Sequence, residues 1–213
     1  MGRGGPGEEG RVTPPAPVVQ DLSRFRMPPG FRGRSGWQVQ LWWMVQATLF
    51  RGSPQFLYGW RRWLLRRFGA KVGQGVIIRP TATFTYPWKI SIGDWSWIGD
   101  HAVLYSLGEI RIGNNSVVSQ RCYLCAGTHD SGDVSFPISG PAIRVGDQCW
   151  LACDVFVGPG RSIGDGTVVG ARSSVFRDLP AGVVAMGNPA KPVQARAGWT
   201  IPPDDLAQWT TRP

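Results

Sequence analysis

The chain has 213 residues, 42% of them hydrophobic and 17% charged, which suffices for one domain with its own core and short appendages. Residues 1–71 contain twelve Arg or Lys and three acidic residues, whereas residues 72–213 contain eleven of each, so the N-terminal third accounts for the net charge of +9. No apolar run is long enough to span a membrane, the N-terminus lacks a signal-peptide pattern, and no nucleic-acid-binding module is recognisable. We therefore expect a cytoplasmic protein without a nucleic-acid partner.

Residues 1–34 are rich in Gly, Pro and Arg and have few apolar anchors. A segment of this composition cannot bury enough apolar surface to offset the entropy of ordering, so we expect a disordered leader over 1–34.

Residues 35–69 predict a helical segment. A capping box of Ser35 and Gln38 begins the first helix, which Gly52 ends. Ser53 and Pro54 then predict the start of a second helix over 55–68.

The second helix is basic and amphipathic. Aromatic and aliphatic residues lie on one face and arginines on the other: Phe56, Trp60, Trp63 and Leu64 against Arg61, Arg62, Arg66 and Arg67. One interpretation is a cap whose aromatic face covers the end of the next unit. The alternative is an interfacial helix, residues 55–68, that binds anionic lipid at the inner membrane face.

A six-residue repeat organises residues 72–180. An aliphatic or aromatic anchor recurs every six positions, with breaks after 84, 104 and 124: Val72, Ile78, Phe84, Ile92, Ile98, Leu104, Ile112, Val118, Leu124, Val145, Leu151, Val157, Ile163, Val169 and Val175. Three hexads form one coil of a parallel β-helix, so the repeat predicts a mainly β solenoid of about five coils over 70–193. A tail of 194–213 follows.

The step between Leu124 and Val145 is twenty-one residues, which predicts a loop over 130–142 projecting from the solenoid. Long loops on rigid scaffolds tend to be functional.

The four cysteines, at 122, 125, 149 and 153, suggest zinc, but their spacings are not two Cys-x-x-Cys pairs. In the hexad frame Cys122 and Cys149 take a small inward position. We therefore expect buried fillers and no metal site.

Several segments, taken in their order along the chain, resemble those of the hexapeptide-repeat O-acetyltransferases. They are the hexads, Gly127–Asp130, Ile163–Gly166, Val169–Ala171 and Gly187–Ala190, and the likeness covers about residues 37–193. The chain is most similar to the sugar acetyltransferases of colanic-acid-type exopolysaccharide clusters, whose relatives include galactoside and maltose acetyltransferases. The resemblance implies a left-handed β-helix, a homotrimer, and a groove between subunits for acetyl-CoA and a sugar-containing acceptor.

The resemblance places the catalytic base at His129, just before the inserted loop. A histidine can remove a proton from a sugar hydroxyl at neutral pH, which acyl transfer requires. The other histidine, His101, falls at an outward turn, and two histidines are too few for the zinc carbonic anhydrases of this fold. Ser106, where relatives have asparagine, and Asp130 are candidate acceptor-binding residues, although Asp130 could instead form a turn.

The resemblance also suggests a cofactor-binding set. Its members would contact the thiol arm, the pantetheine or the phosphates of CoA: Trp150, Gly158, Gly170, Ala171, Arg172, Arg177 and Lys191. Arg161 departs from the pattern, because it occupies an inward hexad position where an unpaired charge would be costly.

The sequence thus predicts an acetyl-CoA-dependent sugar O-acetyltransferase that transfers acetyl directly, for an exopolysaccharide precursor or another glycoside. The rival is a non-catalytic solenoid that serves as an assembly or membrane-docking module. An accessible His129 favours the enzyme.

Overall fold

The computed structural model describes residues 18–200. Helix α1 spans Gly36–Val45 and continues as a π-helical turn over Gln46–Phe50, and helix α2 spans Tyr58–Arg67. The predicted capping box of Ser35 and Gln38 is present. Helix α2 begins later than predicted because the Ser53 hydroxyl donates to the Phe50 carbonyl and does not cap the helix.

The rest is a mainly β solenoid of short strands. In chain order they are β1 Lys71–Val72, β2 Ile77–Ile78, β3 Thr83–Phe84, β4 Ile90–Ile92, β5 Trp97–Ile98, β6 Val103–Tyr105, β7 Ile110–Ile112, β8 Val117–Val118, β9 Tyr123–Cys125, β10 Thr128–His129, β11 Ile138–Ser139, β12 Ile143–Val145, β13 Trp150–Leu151, β14 Phe156–Val157, β15 Ser162–Ile163, β16 Val168–Val169, β17 Ser174–Val175, β18 Val183–Met186 and β19 Lys191–Ala195.

The strands form three sheets along the solenoid. The first sheet has the order β1-β4-β7-β12-β15, the second β2-β5-β8-β13-β16-β18-β19, and the third β3-β6-β9-β14-β17. Each coil contributes one strand to each sheet, and successive coils pair in parallel. Five coils are complete, and a sixth begins with a bridge from Leu179 to Ile163 and with β18 on β16. The predicted parallel β-helix is confirmed, with part of one coil more than the hexads indicated.

The hexad anchors form the core. All fifteen are buried, the most accessible being Val72 at 8%. The small residues four positions after an anchor are buried as well, except Thr128, where the chain leaves its coil to form the inserted loop. The Arg161 side chain avoids the core: its Nη1 lies 3.7 Å from Oδ1 of Asp178 and a third of its surface is exposed.

Asx side chains join the coils at one corner. The Oδ1 of Asp94 accepts from the backbone N–H of Gln74 at 2.8 Å, and Asn114 accepts from Asp94 at 2.8 Å. Asp147 accepts from the N–H of Asn114 at 2.6 Å, and Asp165 from that of Asp147 at 2.8 Å. The ladder satisfies turn donors and holds the coils in register.

Helix α2 packs Leu64 and Leu65 into the core and covers the first coil with its arginines. The aromatic residues of the predicted face, Phe56, Trp60 and Trp63, are exposed, so the predicted aromatic cap is wrong. Arg61 is fully buried, and its Nε donates to the Ile78 carbonyl at 2.6 Å. Arg62 donates to the Val76 carbonyl and Arg66 to that of Val72, each at 2.8 Å. The physical reason is that no coil precedes the first one, so its outward carbonyls need donors from elsewhere, and the arginines of α2 supply them.

Residues 18–34 also differ from the expected disordered leader. The Trp88 indole donates to the Arg32 carbonyl and the Lys89 ammonium to that of Phe31, both at 2.6 Å. The N–H of Asp21 donates to the carbonyl of Val134 in the inserted loop at 2.8 Å. The segment is therefore held by long-range bonds to its backbone, which composition does not reveal, and residues 1–17 lie outside the described residues.

The first residues of the tail pack as well. Strand β19 reaches Ala195, and the guanidinium of Arg196 donates to the carbonyls of Gln148 and Gly166. Trp199 lies over Gly166 and Gly182, where a Cβ would collide with its ring. The remainder of the tail, 201–213, lies outside the described residues. No helix between residues 18 and 200 is long and apolar enough to cross a membrane.

Candidate functional site

The inserted loop folds back on the solenoid as an antiparallel pair. Strand β10 pairs with β11, so that Thr128 faces Ser139 and His129 faces Ile138. The N–H of Asp130 donates to the Pro137 carbonyl at 3.0 Å, which extends the pairing. The loop therefore fixes the backbone on both sides of His129.

His129 is held in one tautomer. Its Nδ1 lies 2.8 Å from the carbonyl oxygen of Phe136, and a carbonyl can only accept, so Nδ1 bears the proton. In the neutral ring Nε2 then has the free lone pair. The imidazole stacks on the Phe136 ring with centroids 4.2 Å apart and planes 10° apart, and the side chain is half-buried.

A second ring next to His129 comes from the N-terminal segment. The Phe25 centroid lies 6.0 Å from that of the imidazole, at an interplanar angle of 51°. This residue was not predicted from the sequence, because residues 1–34 were expected to be disordered. An apolar residue among arginines was the only signal, and it does not specify a contact more than a hundred positions away.

The two acceptor-binding candidates differ in accessibility. Ser106 is fully buried, and its Oγ accepts from the Tyr86 N–H at 2.8 Å and donates to the Tyr86 carbonyl at 3.0 Å. The predicted contact of Ser106 with an acceptor does not fit this position, because both bonds go to the backbone of Tyr86 in the segment between β3 and β4. Asp130 is exposed beside His129, and its Oδ1 accepts from the Gly132 N–H at 2.8 Å as in an Asx turn.

Trp150 lies outward on the second sheet and half exposed, and its indole donates to the Ser119 hydroxyl at 3.0 Å. The two candidate glycines face the next coil. A Cβ at Gly158 would lie 3.1 Å from the Val175 carbonyl, and one at Gly170 would lie 2.9 Å from the Met186 Cβ. Packing of adjacent coils is thus sufficient to require a small residue at both positions.

The basic candidates occupy two places. Ala171 and Arg172 form an exposed corner of the fifth coil, with the Arg172 Nε 3.9 Å from Asp154. Arg177 and Lys191 line one surface pocket of about 240 Å³ near the last coil. His101 takes a turn conformation with φ of +56°, as Arg121, Asp154 and Arg172 do one coil after another, so its position is that of a corner residue.

One chain does not bring the predicted donor and acceptor residues together. His129 follows the third sheet, whereas Trp150 projects from the second. The outward side chains of the second sheet form an apolar column in register: Ile77, Trp97, Val117, Trp150, Val168 and Val184. The corresponding column of the first sheet is polar: Lys71, Ser91, Arg111, Arg144 and Ser162.

The cysteines are free thiols. Burial raises the pKa of the Cys122 thiol to about 12 and that of Cys149 to about 11. Their sulfurs donate to backbone carbonyls, of Ala152 at 3.0 Å and Gly164 at 3.1 Å. Between residues 18 and 200 no three His, Cys, Asp or Glu side chains are grouped as metal ligands.

Comparison with known proteins decides the family. No protein-family model matches the chain. The chain is 59% identical over 178 residues to the putative colanic acid biosynthesis acetyltransferase WcaF of Escherichia coli strain K12, a match that spans 84% of this chain and 98% of the relative. The chain belongs to the hexapeptide-repeat acetyltransferases. This kinship confirms the family resemblance and the predicted enzyme class, an acyltransferase.

Other proteins similar to this chain are more distant. Nodulation protein L of Rhizobium leguminosarum bv. viciae is 35% identical over 67% of this chain and 75% of its own. The structure of a galactoside acetyltransferase in complex with coenzyme A superposes with a TM-score of 0.70 at 24% identity, covering 79% of this chain and 84% of that one. A maltose O-acetyltransferase from Clostridium difficile 630 gives 0.69 at 24% identity, over 75% and 86%. These two structures establish the shared fold.

Proposed function

We propose that this protein transfers an acetyl group from acetyl-CoA directly to a hydroxyl of a sugar-containing acceptor, with His129 as the general base. The observation that carries the proposal is the bond from Nδ1 of His129 to the Phe136 carbonyl. In the neutral imidazole it leaves the lone pair on Nε2, on a half-exposed ring at the end of a coil. Support for the donor and acceptor comes from relatives named as galactoside O-acetyltransferase and colanic acid biosynthesis acetyltransferase.

The proposed reaction uses one residue for both proton transfers. As Nε2 of His129 accepts the proton of the acceptor hydroxyl, the oxygen attacks the thioester carbonyl and a tetrahedral intermediate forms. Its collapse breaks the carbon–sulfur bond and releases the CoA thiolate, which takes the proton back from Nε2. The Phe136 carbonyl stabilises the transient imidazolium through Nδ1, as the third member of a nucleophile–base–orienter arrangement does.

The burial of Cys122 and Cys149 argues against a covalent acyl-cysteine route through either of these thiols. Nucleophilic cysteines need a low thiol pKa, and burial raises those of Cys122 and Cys149 far above neutrality. The accessible His129 argues against a non-catalytic assembly module. A solenoid used only for docking has no need of a histidine with a fixed tautomer.

The active assembly in this proposal is a homotrimer, with donor and acceptor between subunits. The apolar column of the second sheet supports it, since a face with Trp97 and Trp150 half exposed gains by burial against a second copy. The position of Trp150 on a different sheet from His129 gives the same indication. Sedimentation equilibrium measures the mass, and a fully active monomer would contradict the trimer.

Substitution of the base tests the proposal. We expect His129→Ala to lower transfer about 10²- to 10⁴-fold, the usual contribution of a general base. Release of free thiol from acetyl-CoA is followed with a panel of nucleotide sugars, lipid-linked glycans and simple glycosides. CoA binding should persist, since His129 acts on the acceptor.

His101→Ala is the matched control, because that histidine lies exposed at a corner turn. It should transfer acetyl at nearly the normal rate. A His129 variant that retains the parent rate with the preferred acceptor would exclude this residue as the base.

A further inference from the structure

The outward side of α2 and the turn before it form an apolar surface. We define the cap surface as Leu49, Phe56, Leu57, Trp60 and Trp63, whose exposed fractions are 54, 76, 38, 36 and 52%. The Trp60 and Trp63 rings stack 5.1 Å apart, and the Trp60 indole donates to the Leu49 carbonyl at 3.0 Å. These contacts join Leu49, Trp60 and Trp63, and Phe56 and Leu57 lie in the turn just before α2. The surface is available because Arg61, Arg62 and Arg66 bond to the solenoid.

The segment of the chain that contains the cap surface carries charge of one sign. Between residues 22 and 93 the chain has no Asp or Glu and twelve Arg or Lys. Arg51 and Arg67 border the surface, are exposed, and make no side-chain hydrogen bond or ion pair with another residue of 18–200. An occupant must therefore accept tryptophan and leucine next to guanidinium groups and supply its own negative charge.

We propose that the cap surface docks on an anionic lipid bilayer. Tryptophan is enriched at the boundary between headgroups and acyl chains, and arginines beside it gain from anionic headgroups. A bilayer offers an apolar zone for the side chains of the cap surface. Directly above it lies a layer of anionic headgroups for the flanking arginines. A second copy of the chain fits less well, because it would bring its own acid-free basic segment against this one.

The arginines of this proposal are not those that amphipathicity suggested. Arg61, Arg62 and Arg66 bind carbonyls of the first coil, so they are occupied. Arg51 and Arg67 are the cations available to lipid. In a cyclic oligomer, rotation about the axis would place every cap surface at the same height, so all copies could bind one membrane together.

The experiment is cosedimentation of the full chain with phosphatidylcholine vesicles that contain or lack phosphatidylglycerol. We expect binding to the anionic vesicles that weakens with salt. Trp60→Ala/Trp63→Ala should lower the partition coefficient at least about tenfold. Arg51→Gln and Arg67→Gln should each lower it about fivefold.

Trp95→Ala is the matched control, since Trp95 is 57% exposed on a solenoid turn outside the cap, and it should bind as the parent does. Phe56→Glu provides a second variant at a position 76% exposed, where refolding is not at issue. Parent-like binding of both cap variants would overturn the proposal. So would a loss of oligomer mass in the Trp60→Ala/Trp63→Ala protein without lipid, which would assign the surface to a subunit contact.

Quenching of tryptophan fluorescence by brominated lipid supplies a readout on the unmodified protein. Strong quenching is expected, and none would contradict docking. The inference does not depend on acetyl transfer: loss of activity in His129→Ala leaves vesicle binding unchanged, and loss of vesicle binding leaves the base assignment intact.

Discussion

The solenoid and the helical cap differ in the charge that they bury. Every anchor inside the solenoid is aliphatic or aromatic, whereas the cap buries Leu64 and Leu65 and also the guanidinium of Arg61, which has no exposed surface. The outside of the solenoid has a polar column on its first sheet and an apolar one on its second, whereas the outside of the cap has stacked tryptophans. The type of side chain that is buried therefore depends on the surface that it contacts. The interior of a coil offers only side chains, but the end of the first coil offers unpaired carbonyls.

The hydrogen bonds of Arg61 allow the cost of burying its charge to be compared with the stabilisation that it gains. Its Nε donates to Ile78, its Nη1 to the Ser53 hydroxyl and the Pro54 carbonyl, and its Nη2 to the Gln55 carbonyl. Hydrogen bonds from a charged group contribute about 1.5–3 kcal/mol each, which can offset the cost of desolvating the ion. Burial lowers the pKa of Arg61, but a guanidinium remains charged at any physiological pH.

The largest effect is expected from breaking this cap. Arg61→Met keeps much of the volume but leaves carbonyls of the first coil and the α1–α2 turn without donors. We expect the free energy of unfolding to fall by about 3–5 kcal/mol. Urea denaturation measures it, with Arg67→Met on the exposed side of α2 as the control, expected within about 0.5 kcal/mol of the parent. Equal stability of the two variants would show that the coil end does not need a buried guanidinium.

A smaller effect on stability is expected from the two buried thiols, which are neutral in the folded chain, in contrast to the charged Arg61. Cys122 and Cys149 keep their protons in the folded chain up to a pKa of about 12 and 11, while unfolded thiols ionise near 9. The unfolded state therefore binds fewer protons above pH 9, so stability should fall as pH rises from there through the folded pKa values. At pH 10 we expect a loss of about 1–3 kcal/mol relative to pH 8.

Urea denaturation at the two pH values, with the parent and with Cys122→Ala/Cys149→Ala, isolates the thiols. The variant should lose less stability between them. A variant as sensitive to pH as the parent would mean that other groups account for the change, while Arg61 should contribute nothing to it.

The smallest effect compares deletions inside and outside. Ile98→Val removes one methylene from a fully buried anchor and should cost about 1 kcal/mol. Trp63→Ala removes a far larger side chain from the outside of the cap and should change stability by less than about 0.5 kcal/mol. Thermal unfolding of both variants ranks them, and the reverse order would mean that the Trp60–Trp63 stack supports the fold.

The solenoid was predictable because each hexad is determined by residues that are close together in the sequence. Each hexad specifies one inward side chain, and Leu124 or Val145 takes the same role whatever the other coils contain. The solenoid extends beyond the five coils that the hexads predicted. The sixth coil begins at Leu179, after the last hexad anchor, where the six-residue period no longer marks it. The position of His129 came from the family motif, but its tautomer depends on the Phe136 carbonyl, which only the folded loop brings within reach.

The cap and the N-terminal segment were less predictable because their partners are backbone groups. Amphipathicity identifies two faces of α2 but not which one contacts the solenoid. The usual expectation that the apolar face packs inward fails where the surface to be covered is a row of carbonyls. The segment before α1 is held through its own carbonyls by Trp88 and Lys89. No property of its side chains reports those bonds, and the same holds for the hydroxyl of Ser106, which the bulge backbone occupies.

Strand β19 has a consequence for assembly. The edge strands at both ends of a parallel solenoid present unpaired N–H and C=O groups, so two copies could stack end to end and grow into a fibre. In the second sheet the last strand, β19, runs antiparallel to β18, which changes the hydrogen-bond spacing offered to an incoming coil. It also contains Pro192, which has no N–H to donate. The guanidinium groups on the carbonyls at one end and this reversed strand at the other both work against end-to-end growth into a filament.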